Sequence, residues 1–198
     1  MTKGTSCIYW FRKSLRLHDN PALCNLLSKA KQAEFLIPLF ILDPHFVESS
    51  SVGSNRWRFL MESLHDLHSS LEKQNSQLLI VKGNPVNIIP TLLKQWNVST
   101  FGFEFDSEKY SLERDKNIEK ICKENNVECI ISSGHTLYDL DMLVKKSNLG
   151  KGKYMTTYAT MTKLINKIGK PNQPLSVPDD FLSLPTDENY FKGLDSKL

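Results

Sequence analysis

The sequence predicts an α/β protein with a Rossmann-like, three-layer α/β/α fold and a five-stranded parallel sheet. Two observations lead to this prediction. Five short runs of aromatic and branched residues recur along the chain, and longer amphipathic segments separate them. Regular alternation of strand and helix is typical of a parallel sheet that helices cover on both faces.

The five predicted strands are short and apolar along their whole length. Such runs are typical of strands that are buried on both faces of a sheet, because neither face needs polar residues. In chain order they are Cys7–Trp10, Phe35–Leu42, Leu78–Val81, Thr100–Phe105 and Val127–Ile131.

Four amphipathic helices are predicted between the strands. Asn20 and Asn84 each precede a proline, which places a capping residue before a proline at the first helical position. Residues 54–73 repeat apolar side chains every three or four positions, and residues 107–125 form a strongly charged fourth helix. The expected core contacts include Phe59, Leu60, Leu64, Leu67 and Leu71 in the second helix, Ile88, Ile89, Leu92 and Leu93 in the third, and Leu112, Ile118 and Ile121 in the fourth.

Composition narrows the class of protein. The 198 residues suit one domain of ordinary size, and a net charge of +3 is too small to indicate a nucleic-acid-binding protein. The four cysteines show no CxxC spacing, so we expect buried free thiols and no zinc or redox motif. With no signal peptide and no apolar run near the ~20 residues of a membrane helix, we expect a nuclear or cytoplasmic protein that is neither secreted nor membrane-bound.

The segment after the first strand argues against an ordinary dinucleotide-binding fold. It reads Arg12-Lys13-Ser14-Leu15-Arg16 and lacks the GxGxxG fingerprint. A ligand or partner is still expected in the crevice at the carboxyl ends of the strands, where parallel sheets usually bind.

Six motifs in the same order resemble those of the cryptochrome/photolyase family, in its animal cryptochrome and (6-4) photolyase branch. Spacing and order agree over residues 6–180. The motifs are WFRKSLRLHDNPAL (Trp10–Leu23), ILDPHF (Ile41–Phe46), VGSNRWRFLMESLHDL (Val52–Leu67), KGNPVNIIPTLLKQW (Lys82–Trp96), FEFDSEKYSLERD (Phe103–Asp115) and SGHTLYDLD (Ser133–Asp141).

The resemblance implies the photolyase α/β domain over residues 5–168. Residues 169–198, with Pro171, Pro174, Pro178 and Pro185, imply an extended linker towards the FAD-binding helical lobe of full-length relatives. We expect this tail to be mobile from about residue 175 and to promote self-association through an uncovered face. The apolar side chains expected to lack a packing partner are Phe181, Leu182, Leu184, Tyr190 and Phe191.

No residues of this chain match the flavin-binding motifs of the family. We therefore expect no FAD, no flavin photochemistry and no catalysis from this chain, since the protein must hold and tune such a cofactor. The implied role is blue-light or circadian-clock signalling through protein contacts or an antenna chromophore. The alternative is a fragment of a (6-4) photolyase, whose light-dependent DNA repair needs the flavin lobe.

The resemblance also implies an antenna pocket near the strand ends, for a deazaflavin, a folate or FMN. A flat conjugated ring needs aromatic walls and a few charged groups to orient it. Alternatively, the charged residues pair among themselves and Phe40 packs in the core. The matching positions are Phe11, Arg12, Phe40, Asp43, Glu104 and Asp106.

In clock-type relatives the same crevice is a docking pocket for a clock or signalling protein. Lys109 replaces a proline that is usual in the family, and Ser111 stands where glycine is frequent, so the resemblance does not fix the partner. DNA is not expected to bind this lobe alone, and His18 and His135 have no metal-ligand spacing. The matching partner-binding residues are Asp43, Pro44, Glu108, Tyr110, Ser111 and Arg114.

Overall fold

A computed structural model describes residues 4–47, 52–147, 157–179 and 181–185. Their centre is one five-stranded, all-parallel sheet with the strand order β3-β2-β1-β4-β5, which confirms the predicted fold class. The strands are β1 (Ser6–Phe11), β2 (Phe35–Leu42), β3 (Leu79–Lys82), β4 (Val98–Glu104) and β5 (Glu128–Ser132).

Helices cover both faces of this sheet. Helices α1 and α3 contribute to one core cluster, and α4 and α5 contribute to the other. The helices are α1 (Pro21–Lys29), α2 (Pro44–Val47), α3 (Ser54–Glu72), α4 (Pro85–Gln95), α5 (Lys109–Glu124), α6 (Leu140–Ser147) and α7 (Tyr158–Ile168). We call the two sides the α1/α3 face and the α4/α5 face.

The two asparagine-proline signals begin helices as predicted. The side chain of Asn20 accepts a hydrogen bond from the Leu23 amide at 3.1 Å, and that of Asn84 accepts one from the Val86 amide at 2.9 Å. Each asparagine thus satisfies an amide that the first helical turn would leave without a partner. The proline that follows costs no hydrogen bond at this position.

Most predicted core contacts are present, and two are wrong. Leu64, Leu67 and Ile118 are fully buried or nearly so, whereas Phe59 is 71% exposed and Leu112 is 37% exposed. Both exposed residues sit at the margin of an apolar stripe. Apolar residues at three- and four-residue spacing form a stripe on the helix that is wide enough to include such positions. Which of them become buried depends on the elements that pack against the helix.

The tail contradicts the sequence-based expectation between residues 175 and 185. Phe181 and Leu182 pack against the α1/α3 core cluster, and Leu184 is buried. The Asp19 amide donates to the Leu175 carbonyl at 2.7 Å, and the Leu36 amide donates to the Ser183 carbonyl at 3.3 Å. The expectation that these apolar side chains lack a partner is therefore wrong, while Tyr190 and Phe191 lie outside the described residues.

We call residues 175–179 and 181–185 the strap. It begins near Asp19, in the loop at the carboxyl end of β1, and reaches Leu36 at the amino end of β2. There it contacts the edge of β2, whose pairing with β3 begins only at Leu39. The strap therefore closes the α1/α3 face with extended backbone in place of a helix. No helix of the described part of the chain is long and apolar enough to cross a membrane.

Candidate functional site

The candidate site lies where the chain reverses its direction of travel across the sheet. Strands β2 and β3 are added on one side of β1, and β4 and β5 on the other. The loops that leave β1 and β4 diverge at this point and form a crevice at the carboxyl ends of the strands. The first turns of α5 supply the polar side chains along one wall of this strand-end crevice.

Arg12 and Asp115 form a buried ion pair across the crevice. The guanidinium Nη1 donates to both carboxylate oxygens, at 2.7 and 2.8 Å, and both side chains are less than a tenth exposed. Burial lowers the pKa of Arg12, and the charge and hydrogen bonds of Asp115 oppose that effect. Because each charge compensates the other away from water, removal of either partner would leave an uncompensated buried ion.

Aromatic rings and guanidinium groups alternate along the crevice wall. The Arg12 guanidinium carbon lies 4.7 Å from the Phe103 ring centroid and 5.0 Å from that of Trp10. The Arg114 guanidinium carbon lies 4.8 Å from the centroid of the same Trp10 ring and 5.5 Å from that of Tyr110. These distances are within the range of cation–π attraction, which strengthens where water is excluded. The crevice wall is therefore filled by the side chains of the chain itself.

The outer end of the crevice is a small aromatic cluster. The rings of His45 and Tyr110 stack with a centroid separation of 3.6 Å and an interplanar angle of 6°. Phe46 contacts both rings edge-on and is itself 44% exposed. We call His45, Phe46, Glu108 and Tyr110 the crevice lip, since they surround the entrance and lie partly or largely in solvent.

Asp43 anchors the crevice lip to the sheet. One carboxylate oxygen accepts the Tyr110 hydroxyl at 2.7 Å, and the other accepts the His45 amide at 3.0 Å. Arg114 Nη1 approaches the same carboxylate at 3.9 Å. Burial and the neighbouring Asp43 carboxylate raise the pKa of Tyr110 to about 12. The phenol therefore stays protonated at neutral pH and donates to Asp43.

Asp106 organises the turn that leads into α5. It accepts hydrogen bonds from Lys13 Nζ at 2.9 Å, from the Ser111 hydroxyl at 2.9 Å and from the Glu108 amide at 3.1 Å. Burial alone would raise the pKa of Asp106, but these hydrogen bonds outweigh burial and lower it. Lys13 also bonds Glu108 at 2.9 Å, and its pKa is raised although partial burial opposes the shift.

Glu104 is buried at the end of β4 with few partners. It is 2% exposed, and its Oε2 accepts the Ser14 amide at 3.1 Å. Its Oε1 has no hydrogen-bond partner among the described residues. A Cβ atom at Gly134 would lie 2.6 Å from that oxygen, so a larger residue there would force the carboxylate to move.

The structure separates two of the predicted antenna residues from the rest. Phe11 and Phe40 are buried in the α1/α3 core cluster, where Phe11 meets Tyr9 in a T-shaped contact with centroids 4.7 Å apart. Arg12, Asp43 and Asp106 lie at the strand ends and each bonds another side chain of the chain. Glu104 keeps one carboxylate oxygen without a partner among the described residues. The predicted antenna positions therefore do not all line one cavity, because Phe11 and Phe40 pack in the core while Arg12 lies in the crevice. The predicted residues that do come together are Arg12, Asp43, Asp106, Glu108, Tyr110, Ser111 and Arg114, with Pro44 at the start of α2.

Sequence reasoning missed four residues that build the crevice: Trp10, His45, Phe103 and Asp115. Side chains two positions apart share a face of a strand, so Trp10 could have been grouped with Arg12. His45, at the start of its short helix, gave no comparable signal, because its stacking on Tyr110 joins positions far apart in the chain.

A separate open cavity lies beside β5 on the side of α1. Its volume is about 590 Å³, and its lining includes Asn25, Phe105, Ser132, Asp139 and Asp141. Asn25 already donates to Ser132 at 2.8 Å, and Asp139 accepts the Met142 amide at 2.7 Å, so two of these polar groups serve the fold.

The family model described as DNA photolyase matches residues 7–179 of this chain. The chain therefore belongs to the cryptochrome/photolyase family. It is 46% identical over 169 residues to Cryptochrome-2 of Gallus gallus and 43% identical over 175 residues to Cryptochrome-1 of Spalax judaei. These alignments cover 85% and 88% of this chain, but the chain spans 28% of the length of each relative.

A solved structure shows the same fold. The cryptochrome of Synechocystis sp. PCC6803 superposes with a TM-score of 0.80 at 23% sequence identity. The superposition covers 94% of this chain and 38% of that structure. The family includes photolyases as well as cryptochromes, and the two curated relatives above are animal cryptochromes.

Proposed function

We propose that this chain is a cryptochrome-type α/β domain that acts through protein contacts at the crevice lip, in blue-light or circadian-clock signalling. The proposal places it in the nucleus or cytoplasm and assigns it no flavin photochemistry or catalysis of its own. Its family membership and its animal cryptochrome relatives support the signalling class.

The observation behind the proposal is the contrast between the crevice interior and its lip. Inside, the charges of Arg12, Asp43 and Asp106 each have a partner within the chain and lie away from solvent. At the lip, Phe46 is 44% exposed and the Glu108 side chain is 58% exposed. An exposed aromatic ring next to a charged group is typical of an interface anchor with a polar rim.

The clock or signalling protein that would dock here can be trapped at the lip. A photo-reactive phenylalanine analogue placed at Phe46 should yield discrete cross-linked products in cells. The same analogue at Phe59, which is 71% exposed on α3, is the matched control and should not yield those products. Glu108→Arg should weaken the cross-link at Phe46 about tenfold or more if the lip is the interface.

Equal cross-linking at both positions would contradict docking at the lip. Titration of the pure protein with FMN, a folate and a deazaflavin, followed by calorimetry, separates docking from the antenna alternative. We expect no binding of any of the three. Stoichiometric binding of one of them, weakened by Asp43→Ala, would replace docking with antenna function. Blue-light repair of (6-4) lesions by this chain alone would favour the photolyase alternative.

Self-association through an uncovered face is a separate proposal. Three of the side chains that first suggested it, Phe181, Leu182 and Leu184, are packed or buried within the strap. The region of α6 and α7 supplies exposed apolar residues instead. Leu137, Val144 and Tyr158 are 75%, 64% and 86% exposed. Gel filtration at increasing concentration tests it, and Tyr158→Ser should reduce any dimer that forms there.

A further inference from the structure

Some of the residues that the family resemblance assigns to a partner are too buried to touch one. Asp43, Ser111 and Arg114 are 4%, 1% and 6% exposed. Glu108 and Tyr110, by contrast, lie at the crevice lip. Interface backbones usually move little when two folded proteins bind, so a side chain that is buried in the free chain stays covered in the complex. The buried residues therefore act on a partner only through the side chains that cover them.

Arg114 contacts the lip from the inside of the crevice. Its guanidinium carbon lies 5.5 Å from the centroid of the Tyr110 ring, and its Nη1 lies 3.9 Å from Oδ2 of Asp43. The same Asp43 oxygen accepts the Tyr110 hydroxyl at 2.7 Å. Arg114 thus acts on both ends of Tyr110: it attracts the ring by a cation–π contact, and it attracts the carboxylate that accepts the hydroxyl.

The Tyr110 ring in turn supports two aromatic side chains of α2. His45 stacks on it with a centroid separation of 3.6 Å, and Phe46 meets it edge-on with centroids 5.6 Å apart. Phe46 is an exposed ring of the lip. A change in the orientation of Tyr110 would therefore change the surface that a partner meets.

Asp115 and Trp10 hold Arg114 in place. Arg114 Nε donates to Asp115 Oδ1 at 3.0 Å, and the guanidinium carbon lies 4.8 Å from the Trp10 ring centroid. Asp115 is itself fixed, because Arg12 Nη1 donates to both of its oxygens. All four side chains are buried, so their charges interact with little screening by water. The network that starts at the end of β1 thus reaches the lip through Arg114.

We propose that Arg114 and Asp115 are positioning residues of the crevice lip, a role that rests on the docking proposed above. Asp115 orients the Arg114 guanidinium, and Arg114 orients Tyr110. Tyr110 then sets the stack with His45 and the position of Phe46. The partner contacts the lip and does not touch the two buried residues, so a substitution at either of them acts on binding through the shape of the lip.

The position of the His45 ring reports on the lip without any partner. Protons above the face of a stacked aromatic ring resonate upfield in NMR spectra, and His45 is one of five histidines, assigned by its loss in His45→Phe. Arg114→Lys keeps the charge but removes the planar group that lies over Tyr110. We expect its His45 signals to move downfield, towards those of Tyr110→Leu, in which the stacked ring is absent. Asp115→Asn keeps the side-chain shape without the charge and should move them in the same direction.

The cross-link at Phe46 reports on docking in the same variants. We expect its yield to fall about threefold or more in Arg114→Lys and in Asp115→Asn, a typical effect of a substitution within a network that links buried and exposed groups. Leu184→Ala is the control for lost stability. Leu184 lies near the amino end of β2, where the strap bonds Leu36, whereas the lip lies at the carboxyl ends of the strands. This control should leave the His45 signals and the cross-link unchanged.

The two measurements together decide the role of Arg114. Unchanged His45 signals in both Arg114→Lys and Asp115→Asn would overturn the proposal, as would a shift of equal size in Leu184→Ala. A weaker cross-link with unchanged His45 signals would mean that Arg114 touches the partner, which also overturns it. Because the NMR comparison needs no partner, a wild type without cross-links at Phe46 would end the docking proposal, and the His45 signals alone would then confirm or overturn the positioning.

Discussion

The two faces of the sheet are closed in different ways. On the α4/α5 face, two helices cover the strands directly and extend into a crevice with paired charges. On the α1/α3 face, two helices leave a gap that the strap fills with extended backbone. One face is thus closed by elements that satisfy their own hydrogen bonds, and the other depends on a segment far away in sequence.

This difference in construction should make the free energy of local opening lower on the α1/α3 face than on the α4/α5 face. A helix pairs its own amides and carbonyls wherever it packs. The strap has few backbone hydrogen bonds to the body, among them those of Leu175 and Ser183, so its attachment relies mainly on buried side chains such as Leu184. Segments of this kind open at lower free energy than the rest of a domain. We expect amides of the strap to exchange faster than those of α4 and α5.

Loss of Asp115 should have the largest effect on stability. Asp115→Ala removes the carboxylate that Arg12 and Arg114 share and leaves two buried guanidinium groups with reduced compensation. The expected loss is about 3–5 kcal/mol in the free energy of unfolding, measured with urea. Glu62→Ala is the control, since its pair with Arg58 is largely exposed and should contribute almost nothing. Equal effects of the two changes would mean that the crevice pair is hydrated.

Truncation of a strap side chain should rank second. Leu184→Ala removes a strap side chain that is only 9% exposed, with an expected loss of about 2–4 kcal/mol. Leu175→Ala changes a residue of the same type in the same strap that is 42% exposed, and should cost much less. If both variants unfold at the same urea concentration as the parent, the strap does not hold the face closed.

Removal of the lip stack should have a smaller effect. His45→Ala deletes the ring that stacks on Tyr110 and contacts Phe46, which should reduce stability by about 0.5–1.5 kcal/mol. His45→Phe retains a flat ring and should recover most of the loss. Thermal unfolding of the three proteins side by side checks this, and a full loss in the phenylalanine variant would argue against stacking.

The acid response of Asp106 should be the smallest effect. Its pKa is lower in the folded chain than its usual value, so its stabilising contribution is present at neutral pH and is lost as pH falls below about 4. Asp106→Asn should flatten the decline of unfolding free energy in that window. Because the Lys13 partner is 42% exposed, added salt should also reduce the difference. An unchanged acid profile would place the lowered pKa in doubt.

Local sequence signals were enough for the parallel sheet. The apolar runs at Phe35–Leu42 and Thr100–Phe105 each became a strand within a residue or two, and both asparagine-proline caps began helices. These features depend on neighbours in sequence: apolar period, capping chemistry and the fixed φ of proline. Family motifs in turn located the crevice and most of its polar side chains.

Contacts between segments that are far apart in the sequence could not be predicted from these local signals. The strap was expected to be mobile because a proline-rich stretch without period has no local preference, yet Phe181 packs against the α1/α3 core. The family resemblance grouped Phe11 and Phe40 with Arg12 and Asp43, yet both rings pack in the α1/α3 core cluster. In each case the missing information was which surface a side chain meets, which a motif does not encode.

The position of the strap also has a consequence for synthesis on the ribosome. Chains are made from the amino end at roughly 5–20 residues per second, so the stretch between Ile168 and Pro185 takes about one to three seconds. During that interval every strand and all the helices that cover them have been translated, while one apolar flank still lacks its final layer. A nascent chain stalled in this window would offer a binding surface to chaperones that the finished domain conceals.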